Sequence, residues 1–289
     1  MKGVILAGGT GTRLMPLTKV VSKQLLPVYD KPVIYYPLST LIHAGVTEVL
    51  IISTPRDISY IENLLEDGSH LGIKIHYLIQ EFPRGLADGV RISEEFTNGE
   101  KFWFILGDNL FHGPDFGVSL QNHFSENIGS TVFAYRVADP RAYGVVEFDK
   151  DGSTVTKLTE KPDQPNSNWV IPGLYIFDGD APKLSATIKP SLRGELEIID
   201  LLDAYLCQDR LNVRKISRGN AWFDLGTSEN LLIASQFVHS IQTRQGQLVG
   251  SPEEASFNAQ LIDNEHFRLV AQKFEKNDYG KNLFNILET

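Results

Sequence analysis

The sequence predicts an α/β fold: a mixed, mainly parallel central sheet flanked by helices, with an antiparallel part and a helical C-terminal extension. Three observations carry this expectation. From Met1 to Leu106, β-branched and apolar runs alternate with segments of helical spacing, the pattern of a parallel sheet covered by helices. From Thr131 the pattern changes to strands joined by short turns. Residues 242–289 read as helical and carry no site signal.

The elements follow in order. Val4 to Ala7 has the length and branching of a buried strand. Lys31-Pro32 leads into an apolar pattern running from Val33 to Ala44, a helix closed by Gly45. Glu48 to Ser53 is a β-branched strand. Ile58, Ile61, Leu64 and Leu65 have helical spacing, with Gly68 just past the end. Ile73, Ile75, Tyr77 and Ile79 alternate along a strand, and Gly85 to Phe96 forms a helix. Phe102 to Leu106 is a dense apolar strand ending in Gly107-Asp108-Asn109.

In the second half, Thr131 to Val137, Gly144 to Phe148, Thr154 to Thr159 and Gly173 to Phe177 read as strands. Asp149-Lys150-Asp151-Gly152 marks a turn between two of them. Glu195 to Leu206 is an amphipathic helix, and Cys207 extends its apolar stripe as a core residue. Val213 to Ile216 and Ala221 to Phe223 are short strands. Thr227 or Ser228 caps a helix reaching Gln245, and Ser251-Pro252-Glu253-Glu254 opens another. There is no low-complexity linker and no internal repeat, so the chain divides only into a core of residues 1–241 and an extension of residues 242–289.

Composition narrows the class. With 289 residues and 42% hydrophobic content the chain can bury a sizeable core. A net charge of −9 argues against a non-specific nucleic-acid coat, so any polyanionic ligand must be held by a local basic cluster. The single cysteine excludes an intrachain disulfide and a cysteine metal cluster. The N-terminal apolar run is too short for a signal-peptide core, and no run is long enough to span a membrane. A cytoplasmic protein is expected.

The chemistry concentrates at Gly8-Gly9-Thr10-Gly11-Thr12-Arg13, directly after the first strand. Glycines let the backbone approach a ligand closely, and exposed N–H groups in such a loop make an anion-binding concavity. Arg13 and Lys23 add fixed positive charge. The loop lacks the Gly-Lys-Ser/Thr ending of a Walker motif, and Leu14 stands where a dinucleotide loop needs its third glycine. On these residues alone, a triphosphate cradle competes with a tight strand-to-helix turn.

Asp108 follows a buried strand, where ligands of open α/β sheets bind, and suits Mg²⁺ held against a phosphate; a turn-capping Asp is the alternative. Asp224 follows a short strand in the same way. Glu160 suits sugar hydroxyls and Lys161 a phosphate, though an ordinary charged turn reads the same. Tyr143-Gly144 and Gly194-Glu195 are weak singly. The seven histidines lack His-x-x-x-His spacing, and there is no Gly-x-Ser-x-Gly elbow.

Taken together, these stretches resemble the sugar nucleotidyltransferases over nearly the whole chain. The resemblance is carried by Leu6 to Leu14, by Ser22-Lys23-Gln24-Leu25-Leu26-Pro27 and by Leu106-Gly107-Asp108-Asn109. Ala142 to Phe148, Glu160-Lys161-Pro162, Arg193 to Ile198 and Trp222 to Thr227 continue it. Lys23 to Pro32 looks specific to the thymidylyltransferase branch.

The resemblance implies a Rossmann-like nucleotide-diphospho-sugar transferase fold, nucleotide-binding over about residues 1–130 and sugar-binding over about 131–241. It implies that a glucose 1-phosphate oxygen attacks the α-phosphorus of dTTP and pyrophosphate leaves. That reaction opens the route to dTDP-deoxysugars such as dTDP-rhamnose for cell-surface polysaccharide. Arg13, Lys23 and Lys161 would be catalytic. Leu6, Gly8, Gly9, Gly11, Thr12, Arg13, Gln24, Gln80, Gly85 and Asp108 would bind the nucleotide. Tyr143, Gly144, Glu160, Lys161, Val170, Arg193 and Glu195 would bind the sugar phosphate, and Asp108 and Asp224 would hold Mg²⁺. A homotetramer with a regulatory dTDP-sugar is also implied, with neither nucleic acid nor membrane as partner.

Some positions depart from the family pattern. Between Gln80 and Gly85 the family more often has Pro-Ser-Pro-Asp, and Arg84 here replaces the acid. Leu86-Ala87 is followed by Asp88-Gly89 rather than Gln-Ala. Leu225 and Ile199 each replace a threonine. The alternatives are the same chemistry with UTP or another sugar 1-phosphate, and a non-catalytic nucleotide-sugar binder.

Overall fold

A computed structural model describes residues 1–288. The first half comprises β1 (Lys2–Leu6), β2 (Pro27–Val28), β3 (Lys31–Pro32), α1 (Tyr35–His43), β4 (Glu48–Ser53) and α2 (Ile58–Leu65). It continues with β5 (Lys74–Ile79), α3 (Leu86–Ile92), α4 (Glu94–Thr97), β6 (Phe102–Leu106), β7 (Asn109–His112) and α5 (Phe116–Glu126). Next come β8 (Ser130–Arg136), β9 (Gly144–Phe148), β10 (Val155–Glu160), β11 (Trp169–Val170), β12 (Leu174–Phe177) and α6 (Ala181–Ser185). The chain ends with α7 (Ile198–Leu206), β13 (Leu211–Lys215), β14 (Ala221–Asp224), α8 (Ser228–Gln245), α9 (Pro252–Asn258), α10 (Asn264–Gln272) and α11 (Asp278–Ile286).

A single large sheet runs β10-β9-β11-β8-β12-β6-β1-β4-β5, with β13 attached to β8. Strands β6, β1, β4 and β5 are parallel. The pairs made by β12, β11 and β10 are antiparallel, so the change of pattern after residue 130 is a change of strand direction. The parallel half is buried on both faces, which explains its continuous apolar runs. Ile5, Ile51, Trp103 and Ile105 enter one core. Val4, Leu50, Ile52, Phe102 and Phe104 enter the other.

β1 pairs with β4 on one side and β6 on the other, and both neighbours come later in the chain. The connections therefore diverge at the carboxyl end of β1, the place where open α/β sheets bind ligands. The glycine loop leaves the sheet at that point. A separate core under the loop packs Leu14, Leu26, Val28 and Tyr36 against Leu231, Ala234 and Val238 of α8. Helix α8 begins where Thr227 Oγ1 accepts from Asn230 N at 3.2 Å, and it ends at Gly246 in the left-handed region.

Four readings differ from the sequence expectation. The segment 85–96 is two helices, because the chain turns at Ser93, whose hydroxyl donates to the Val90 carbonyl at 2.7 Å. Residues 195–197 lie outside the helix, with Glu197 extended, and α7 starts only at Ile198. Cys207 is exposed at the end of α7 rather than in its apolar stripe. Strands β2, β3, β7 and β11 and helices α5 and α6 were not anticipated. Among the described residues, no helix is long and apolar enough to cross a membrane.

Candidate active site

One cavity of about 350 Å³ opens over the carboxyl ends of β1 and β6. Of the residues expected to act, Leu6, Gly8, Gly9, Arg13, Lys23, Gln80, Gly85, Asp108, Tyr143, Gly144, Glu160, Lys161, Glu195 and Asp224 line it. Gly11, Thr12, Gln24, Val170 and Arg193 do not line it directly. Gly11 has φ +61°, and its carbonyl accepts from Thr18 Oγ1 at 2.7 Å, which shapes the loop. Gln24 is buried, and its Nε2 donates to the Gly8 carbonyl at 3.1 Å. Val170 is fully buried in a hydrophobic core, and its neighbour Ile171 lines the cavity instead.

The two distant aspartates are brought together by a short ribbon. β14 pairs antiparallel with β7, with Asp224 opposite Asn109 in the register. This places Asp224 beside Asp108, and Leu225 N donates to the Asp108 carbonyl at 2.9 Å. Asn109 Nδ2 donates to Asp108 Oδ1 at 3.3 Å and its own Oδ1 accepts from the indole N–H of Trp222 at 2.5 Å. The Asp108 side chain is thus oriented through both partner strands.

The local charges are mixed. The Lys23 ammonium pairs with Asp108 Oδ2, and both groups are largely buried. Burial, and then repulsion from Asp108, push the Asp224 carboxyl above its ordinary range, while Lys23 and Arg13 pull it back. Arg13 reaches the backbone at Gly226: a Cβ there would lie 2.7 Å from Nη2. Gly226 N in turn donates to Asp224 Oδ1 at 3.0 Å.

Two neighbouring carboxylates, one of them destabilised by burial and then by the other, form a hard oxygen donor pair that suits a divalent cation. Among the described residues no group of three or more His, Cys, Asp or Glu could hold a metal by itself. The pair fits a cation that takes its remaining ligands from water and from a substrate phosphate.

The other end of the cavity is lined with acids and bases. Lys161 has φ +42°, and its ammonium lies 2.9 Å from Glu160. Arg193 bridges Glu160 at 3.4 Å and Glu197 at 2.9 Å. Burial, then the nearby Asp224 carboxylate, raise the Tyr143 hydroxyl pKa, so this phenol stays a neutral hydrogen-bonding group. Its ring packs edge-on against Trp222 at 5.1 Å.

Loops from the two ends are joined. Leu196 N donates to the Arg84 carbonyl at 2.7 Å, and Ala87 N to the Leu196 carbonyl at 3.1 Å. Gly85 sits between these bonds with φ +100°, and a Cβ there would lie 2.4 Å from the Leu196 carbonyl oxygen. Gly85→Ala therefore forces the two loops apart. We expect the KM for a substrate bound in this cavity to rise about tenfold or more, since strain of this kind costs about 1–3 kcal/mol. Steady-state kinetics with melting temperature as a folding control checks this.

Asn109, Trp222 and Glu197 lie in stretches that carry the family resemblance, and Asp88 in a departure from it, but none was given a role from sequence; each touches a residue that was.

A glycine loop with Arg13 and Lys23, two neighbouring carboxylates and a second group of charged residues in one cavity on an α/β sheet fit an enzyme of the phosphoryl-transfer class. The comparisons sharpen this. The family model described as Nucleotidyl transferase matches residues 2–241, and the chain belongs to that family. It is 48% identical over 282 residues to a glucose-1-phosphate thymidylyltransferase of Xanthomonas campestris pv. campestris (strain B100), covering 98% of this chain and 95% of that relative. It is 47% identical over 288 residues to the enzyme of that name from Mycolicibacterium smegmatis, covering 100% and 99%. A solved structure of UDP-glucose pyrophosphorylase complexed with UDP-glucose superposes with a TM-score of 0.72 at 26% identity, covering 83% of this chain and 98% of that one.

Proposed function

We propose that this protein transfers a thymidylyl group from dTTP to glucose 1-phosphate, giving dTDP-glucose and pyrophosphate. The observation that carries the reading is the placement, in one cavity, of Arg13, Lys23, Asp108 and Asp224 at one end and Glu160, Lys161 and Glu195 at the other. The names of the full-length relatives support this choice of substrates.

In this reading the glycine loop and Arg13 hold the β- and γ-phosphates that leave as pyrophosphate. Lys23 meets the charge that builds up at the α-phosphorus. Lys161, with Arg193 behind it, holds the sugar phosphate, and Glu160 and Glu195 accept from sugar hydroxyls. Tyr143, a neutral phenol, donates a hydrogen bond without adding charge. No side chain needs to act as a covalent nucleophile, so the protein's work is positioning and charge stabilisation. Asp108 and Asp224 would hold the divalent cation, proposed to be Mg²⁺. When bound, it neutralises phosphate charge beside the reacting centre.

The test is a steady-state panel of dTTP and UTP against several sugar 1-phosphates, with Mg²⁺ and with excess chelator. We expect pyrophosphate release to be fastest with dTTP and glucose 1-phosphate, and to stop with chelator. No turnover on any pair would remove the reading. Faster turnover with UTP would move the base assignment to uracil.

A further inference from the structure

Gln80 leaves the carboxyl end of β5 and lines the cavity. Its Nε2 donates to Asp88 Oδ2 at 2.8 Å. The other oxygen, Asp88 Oδ1, accepts from Arg91 Nε at 3.0 Å and Nη2 at 2.6 Å. Asp88 is 3% exposed and Gln80 6%. A carboxylate in an ion pair with a guanidinium can only accept, so the Gln80 amide can offer it only the NH₂ side. The Gln80 carbonyl is thereby turned the other way. It lies over Gly8, where a Cβ would stand 3.2 Å from Oε1. Among the described residues, Gln80 Oε1 accepts no hydrogen bond. The cavity is therefore presented with a free acceptor whose direction is set by Asp88, a residue that does not line the cavity itself.

We infer that Asp88 is a positioning residue for base selection. It locks the Gln80 amide so that the site accepts a pyrimidine carrying a ring N–H, thymine or uracil, and rejects cytosine. Cytosine presents a lone pair at that ring nitrogen, which would face the Gln80 carbonyl oxygen with no hydrogen between them. With Asp88→Asn, the partner can offer either an NH₂ or a carbonyl. The Gln80 amide is then free to turn over and donate to cytosine. This inference rests on the proposed nucleotide role of the cavity and adds the determinant of its base class.

The test compares wild type with Asp88→Asn and Asp88→Ala. The kcat/KM for dTTP and dCTP is measured with glucose 1-phosphate, and the Kd of dTDP and dCDP by calorimetry. We expect wild type to favour the thymine nucleotide and the thymine-to-cytosine ratio to fall about tenfold or more in both variants. A loss of folding alone would lower both nucleotides together and leave the ratio unmoved. On wild type, dTDP methylated at the ring N–H should bind about tenfold or more weakly than dTDP. An unchanged ratio in either folded variant, or equal binding of the methylated nucleotide, overturns the inference. Selective dTDP binding by a wild type that makes no nucleotide sugar would instead remove the proposed reaction and leave Asp88 its role.

Discussion

Asp108→Asn is expected to lower kcat/KM about 10²–10³-fold while the protein stays folded. The substitution keeps the shape and the contact with Asn109 but removes the charge. With that charge go the ion pair to Lys23 and one of the two carboxylates available to a cation. The same change relieves Asp224, whose carboxyl is pushed up in part by Asp108. The Asp224 pKa should therefore move down toward its ordinary range, visible by carboxyl-region NMR titration. Activity would collapse while an electrostatic strain is released, the mark of a residue kept for chemistry rather than for stability. Near-normal turnover in Asp108→Asn would remove this residue from the reacting centre.

Lys23→Met should cost about 10²–10³-fold in kcat with a smaller change in KM. Methionine keeps the length of the side chain and fills the same space. The ammonium is placed by a 3-10 turn (Lys23–Leu25) whose N-cap, Ser22, has a hydroxyl that accepts from Gln24 N, so the charge does not swing freely. Its partner Asp108 is 6% exposed, and losing the pair leaves two neighbouring carboxylates without the ammonium that offsets them. The ligand-free variant should consequently melt lower than wild type, and added divalent cation should restore part of the loss. A large rise in KM with kcat unchanged would recast Lys23 as a ground-state binder.

The parallel half of the fold was legible because its strands are buried on both faces and bounded by turn residues. Glu48–Ser53, Ile58–Leu65 and Phe102–Leu106 have the bounds their sequences suggested. Strand β7 was hidden because Asn109-Leu110-Phe111-His112 reads as a loop after Asp108. Its partner β14 is remote in sequence, so no local pattern reveals the pairing. That ribbon is what brings Asp224 to Asp108, and the convergence of the two carboxylates could not be read from either stretch alone. The role of Glu197 was hidden for a related reason: residues 195–197 have helical composition, but they precede the helix, and Leu196 among them pairs with the loop at Arg84. Cys207 lay on the apolar stripe of α7, yet the helix ends before it and leaves it to solvent.

The central claim is that a sugar phosphate attacks the nucleotide's α-phosphorus within this one cavity. It is tested most directly by following oxygen. Glucose 1-phosphate labelled with ¹⁸O on its phosphate is turned over with unlabelled dTTP and Mg²⁺, and both products are weighed by mass spectrometry. The account predicts that all the label appears in dTDP-glucose and none in pyrophosphate. Label in pyrophosphate, or pyrophosphate released without a nucleotide sugar, would contradict it.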